Sequence, residues 1–215
     1  MIAADIIVRA ARLLMDEQFE VFSIGEYLTY ISDAQRTIHK HRPDANSVNM
    51  VMRLIPGAKQ SIPTDGYRLL RVTRNMGADG NTMGSAIIEA SKATFDAELP
   101  HWPTITDSRI QHFLFDDIDP KSFYVYPAIA QDASHYVELI YSKTPMEIGS
   151  TRQSLELPDE YANAILNWVL YRCYTKESVA AQNLQKAQSY YQLFAQEVNG
   201  SLQIEWATSG EQKTS

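Results

Sequence analysis

The side chains able to do chemistry are few, and their spacing fits turns and helix ends better than a reactive centre. The five histidines are His39, His41, His101, His112 and His135. His39-Lys40-His41 is not an i,i+4 zinc pair, and H-E-x-x-H is absent. Cations at that place suit the C-terminal end of a helix, where the macrodipole is negative. His101 lies between Pro100 and Trp102 and reads as a loop residue. His112 and His135 sit near strand starts and could be neighbours across a sheet, but a metal would need further ligands. Asp116, Asp117 and Asp119 have the spacing D-D-x-D, which could hold a hard cation through oxygens or serve phosphoryl chemistry. The same residues followed by Pro120 make a solvated hairpin turn, and the glycine and distal glutamate of a calcium loop are missing. The run Gly77 to Gly84 has no lysine at the phosphate-loop position, and no G-x-S-x-G occurs. Cys173, the one cysteine, falls in a helical stripe as a buried, inert thiol.

This inventory assigns no catalytic residue, no cofactor and no metal. The enzymatic reading that survives is a hydrolase built on the β-rich middle, using His112, His135 or the Asp116–Asp119 cluster. Against it stand two features that point to binding. Tyr161, Tyr171, Tyr174, Tyr190 and Tyr191 crowd the last two helical segments, as core-margin rings or as surface covered by another subunit. Leu202, Ile204 and Trp206 alternate with Gln203 and Glu205 as an amphipathic strand with no hairpin partner nearby. Such a segment can add to a sheet edge on another chain, or fold back onto its own domain.

The elements that must position these residues follow from periodicity. Ile2, Ile6, Ala10, Leu13 and Leu14 mark one face of a helix from about Ala3 to Asp16, with Arg9, Arg12 and Asp16 opposite. Ser23 and Glu26 form an S-x-x-E capping box, and Phe22 with Tyr27 a hydrophobic staple. The spacing predicts a helix over about 24–41 carrying Tyr27, Ile31, Ala34 and Ile38, stopped by Pro43. A short strand covers Met50, Met52 and Leu54, and residues 56–63 read as a turn-rich connector. Residues 64–76 fit a helix closed by Gly77, although Leu70, Val72 and Arg74 also alternate as in a strand. Residues 77–84 are a loop, 86–90 a strand and 94–99 a helical turn or two. Segments 111–115, 123–126 and 136–141 are aromatic and β-branched, and predict a three-stranded antiparallel meander.

Leu157-Pro158-Asp159-Glu160 starts a helix whose inward face holds Tyr161, Ile165, Trp168, Val169 and Arg172/Cys173. A last long helix carries Ala180, Leu184, Ala187, Tyr191, Phe194 and Val198 and should stop at Asn199-Gly200. The expected fold is therefore α+β. Residues 1–43 and 157–200 form a discontinuous helical bundle, 44–156 a β-rich antiparallel insertion, and 201–215 a C-terminal tail.

Composition narrows the function classes. The chain has 215 residues, 45% hydrophobic and 21% charged, and carries a net charge of −7. It can bury a core, and it lacks the cationic footprint of a duplex-binding protein. One cysteine makes no internal disulfide. No apolar run approaches the ~20 residues of a membrane span. The basic interruptions at Arg9 and Arg12 disfavour a secretory signal, so the chain reads as soluble and cytosolic or assembled in a cytosol.

Four segments in order carry a resemblance: Leu54 to Pro63 (LIPGAKQSIP), Arg71 to Gly77 (RVTRNMG), Phe115 to Pro127 (FDDIDPKSFYVYP), and Leu157 to Tyr161 (LPDEY) followed by two helices. Over about 24–198 the chain resembles the head-to-tail adaptor (connector) proteins of tailed bacteriophages. That resemblance implies a non-enzymatic structural subunit of the virion, made in the bacterial host cytoplasm. It implies a homo-oligomeric ring, commonly of twelve copies, docked beneath the portal protein and offering a platform to tail or nozzle proteins. Genomic DNA would pass through the ring channel without specific binding. It further implies that a C-terminal segment grips the portal, which makes Leu202, Ile204 and Trp206 the candidate portal contacts. The alternative class is a cytosolic protein-interaction module with no virion role.

Overall fold

The strongest local signal forms as its chemistry requires. Ser23 Oγ accepts from the Glu26 amide at 3.3 Å and Glu26 Oε2 accepts from the Ser23 amide at 3.0 Å. The Phe22 and Tyr27 rings meet edge to face at 6.0 Å. These contacts start helix α2 (Ile24–His41). The computed structural model describes residues 1–116, 118–177 and 181–209, with only the course of the main chain for 201–209. The architecture is α+β, with helices from both ends of the chain and two sheets from the intervening sequence. Two compact units result, one from residues 1–45 and 145 onward, the other from 46–144.

The helical unit packs α1 (Ala3–Leu14), α2, α4 (Ala162–Lys176) and α5 (Ala181–Ser209). Helix α4 is central: it touches α1, α2 and α5 and buries Ala164, Ile165, Leu166, Val169, Leu170 and Cys173. A helix surrounded by others is apolar on more than one face. Hence the single inward stripe expected for 161–173 undercounts its burial.

Two polar features of this unit escaped the periodicity. Asp16, expected on the solvent side, is buried. Its carboxylate accepts the main-chain N–H groups of Glu20, Val21 and Phe22 at 2.8–3.3 Å and so shapes the α1–α2 loop. Ser32, Gln35 and His39 are also buried on α2. Ser32 Oγ accepts from the Ile148 amide at 2.9 Å, and Gln35 Oε1 from the Glu156 amide at 2.9 Å. They bind the irregular 145–157 segment, whose main chain has no sheet or helix to satisfy it.

The β-rich unit holds β1 (Ser47–Arg53), β2 (Gly57–Ser61), β3 (Gly66–Asn75), β4 (Ile88–Ala90), β5 (His112–Phe115), β6 (Ser122–Ile129) and β7 (Tyr136–Lys143), with a short helix α3 (Lys92–Glu98). One sheet has the order β1-β7-β3, the other β2-β6-β5-β4. All pairings are antiparallel except β4 with β5. Both sheets feed one core, in which Leu69, Val72, Phe113, Phe123, Val125, Val137 and Leu139 cluster.

Three expectations are corrected here. Residues 64–76 are not a helix but mostly strand β3. Its register against β7 slips at Gly66/Arg68, Leu69/Arg71 and Val72/Arg74. Each slip inserts one residue, so burial recurs at Gly66, Leu69 and Val72, a spacing of three that imitates a helical stripe. The connector 56–63 contains edge strand β2. There the buried Gln60 side chain accepts from the Ile55 amide at 2.9 Å and donates to the Ile55 and Gly57 carbonyls. The meander is split: β5 and β6 form the hairpin, but β7 crosses to the other sheet between β1 and β3.

Candidate assembly surfaces

The residues weighed for catalysis are dispersed. His112 on β5 is paired in register with Tyr126, whose ring it stacks on at 6.4 Å, and it meets Phe95 at 5.7 Å. His135 lies in the loop before β7, where its carbonyl accepts from the Leu54 amide. The two are not cross-strand neighbours, an arrangement that the sequence left open. Asp116 accepts the Ile118 amide at 3.0 Å, a turn contact. Asp119 is held below the usual carboxylate range by the Ser122 hydroxyl, and Lys59 sits 3.3 Å away. Asp117 lies outside the described residues. Among the described residues no three His, Cys, Asp or Glu side chains converge as a metal site would need.

His39 is the exception to the cationic helix end. It is buried, and desolvation pushes its imidazole below the ordinary value, with Glu156 opposing. Cys173 is buried, and desolvation first, then Glu26 and Glu177, pushes its thiol up to about 12. A thiol so raised is a poor nucleophile.

The aromatic residues do meet, along the α4–α5 seam. Trp168 packs on Phe194 at 4.8 Å and Tyr171 on Tyr191 at 5.3 Å. Tyr174 and Tyr190 stack at 5.6 Å with rings 4° from parallel. Much of the ring surface is therefore spent within the subunit, Tyr161 included, which is buried. The exposed large apolar side chains of the helical unit include Leu184, Tyr191 and Leu193 on α5, and Leu13, Met15 and Val21 around the α1–α2 turn. The corner at Leu13, Met15 and Val21 could not be read from periodicity, because Met15 ends α1 in a left-handed conformation (φ 57°) that turns the chain.

Leu202, Ile204 and Trp206 lie on main chain that is helical, not extended. Helix α5 runs through Gly200 to Ser209, so the stop expected at Asn199-Gly200 and the strand expected after it are both corrected. The side chains of these three residues lie outside the described set. The seam contacts pair 168 with 194 and 171 with 191. Continued at that register, the start of α4 at Ala162 falls opposite residue 200. About two turns of α5 therefore extend past its partner helix.

Helix α5 runs past its partner helix, and no reactive groups converge among the described residues. The model of the SU10 adaptor protein family matches residues 1–213. The chain belongs to the SU10 adaptor protein family. The match extends beyond the 24–198 over which the segments were recognised, and takes in α1 and the end of α5. No curated protein matches the chain. As an SU10 adaptor it is a phage adaptor protein, a component of the virion that associates with portal and tail proteins. No helix among the described residues is long and apolar enough to cross a membrane.

Proposed function

We propose that this SU10-family adaptor is a structural, non-enzymatic ring subunit at the head-to-tail interface. It docks beneath the portal, lengthens the DNA channel and presents a platform to tail proteins. The observation that carries this reading is the family match across nearly the whole chain. The net charge of −7 suits a channel that DNA slides through, because phosphate contacts need cations.

The portal contact is assigned to the end of α5, with Leu202, Ile204 and Trp206 as its apolar residues. Because the main chain there is helical, recognition is of the helix-in-groove kind rather than strand addition. Leu202 and Trp206 stand four residues apart, the spacing of anchors on one helix face, whereas Ile204, two residues from each, falls on the opposite face and is the weakest of the three candidates.

The test is truncation of residues 202–215, beyond the last core position Val198. The shortened chain should keep its thermal midpoint and lose co-sedimentation with portal protein. If truncation leaves portal affinity unchanged, the contact lies elsewhere.

A further inference from the structure

The ring reading, on which this inference rests, requires two different and complementary patches on each subunit, since a head-to-tail contact must repeat around a circle. The helical unit carries two exposed apolar patches, one at a loop corner and one in a cleft. The first is the α1–α2 corner. Met15 is 93% exposed, and Leu13 and Val21 are more than half exposed beside it. The second is a cleft of about 370 Å³ between α4 and α5, with Tyr171, Thr175, Leu184, Gln188 and Tyr191 in its walls.

The two lie on different flanks of the α4–α5 pair. The corner residues border a separate hollow with Tyr174, Asn183 and Lys186. At 100° per residue, Asn183 and Lys186 fall on one side of the buried Ala187, Phe194 and Val198 row, and Leu184, Gln188 and Tyr191 on the other. Patches on opposite flanks are what successive copies in a closed ring need.

Charge selects the occupant. A chain of net charge −7 repels its own copies wherever acids face acids. Glu17 and Glu20 stand exposed next to the corner. Helix α5 answers with neutral groups: between 181 and 200 its only ionisable side chains besides the tyrosines are Lys186 and Glu197, and its exposed positions include Gln182, Gln185, Gln188, Gln192 and Gln196. Charge depletion around an aromatic centre is the composition of a subunit interface core. We propose that adjacent copies join head to tail, the Leu13–Met15–Val21 corner of one seated in the Tyr171–Leu184–Tyr191 cleft of the next.

Cysteine cross-linking tests this, because the native Cys173 is buried and unreactive. Met15→Cys and Gln188→Cys both alter exposed positions. The full chain carrying both, assembled alone at high concentration or on portal protein, is treated with a short bismaleimide. The expected result is a ladder of dimers, trimers and higher species. An equimolar mixture of the two single variants should stop at dimers, and each single variant alone should stay uncross-linked. Gln192→Cys in place of Gln188→Cys should repeat the pattern.

Three results would overturn the proposal: a double variant that stops at dimers, no cross-links in a chain that sedimentation shows to be assembled, or a wild-type chain that is monomeric both alone and on portal. Portal co-sedimentation separates the two levels. A ladder without portal association sinks the virion reading and keeps this contact, while association without a ladder does the reverse.

Discussion

Asp16 shows how one side chain replaces a missing stretch of secondary structure. Desolvation raises its pKa, but the N–H groups of Phe22, Val21 and Glu20 outweigh it and hold the carboxyl below its ordinary 3.8. The ionised form therefore stabilises the fold at neutral pH, and that contribution is lost as pH falls below 3.8 through the lower folded value. Asp16→Asn keeps an acceptor but loses the charge, and Asp16→Ala leaves three donors without their acceptor. The thermal midpoint should fall for both, more for alanine, and the gap from wild type should close in acid. Scanning calorimetry across pH checks this.

His39 behaves with the opposite chemistry and the same direction in pH. Its buried imidazole is favoured neutral, so its folded pKa lies below 6.5. The unfolded chain then takes the proton first, and stability is full above 6.5 and declines as pH drops beneath it. His39→Gln should be less stable at neutral pH but show a flatter stability curve below 6.5 in urea titrations. Neither residue was legible beforehand: the partners of Asp16 are main-chain amides of an aperiodic loop four to six residues on, and the burial of His39 depends on packing that spacing does not record.

Elements were legible where a local signal had no competitor. The Ser23–Glu26 box and the Phe22–Tyr27 staple are contained within a few residues, and α2 starts where they place it. Strand β3 was illegible because three bulges gave it a period of three. The place of β7 was illegible because strand partners are chosen across the chain. The end of α5 was misread through Gly200, a residue that commonly closes a helix in a left-handed conformation.

That last point has a sharp consequence. In the structure Gly200 lies inside α5, and a Cβ there would meet nothing within 4 Å. Gly200→Ala should then stabilise α5 by up to about 1 kcal/mol and raise the far-ultraviolet helical signal. A left-handed cap would give the reverse, a loss of stability, and that outcome would refute the continuous helix.

At the scale of the whole molecule, each unit has its own core. Ile6, Ile31, Ile165 and Val169 cluster in the helical unit, while Leu69, Val72, Phe123 and Leu139 cluster in the β-rich one. The candidate site was legible in part for the same reason: the helical unit brings its aromatic surplus to one seam, whereas the corner at Met15 needed three-dimensional turning. Separate cores imply that opening one unit need not open the other, since cooperative units follow contiguous packing. Ile165 is fully buried at the centre of the helical core, and Ile165→Ala should cost about 2–5 kcal/mol. Amide exchange should then speed up across α1, α2, α4 and α5, while protection in β3, β6 and β7 stays at wild-type levels. Equal loss of protection in both units would mean that the chain unfolds as one cooperative body, and that the helical platform cannot reorganise on docking without melting the sheets as well.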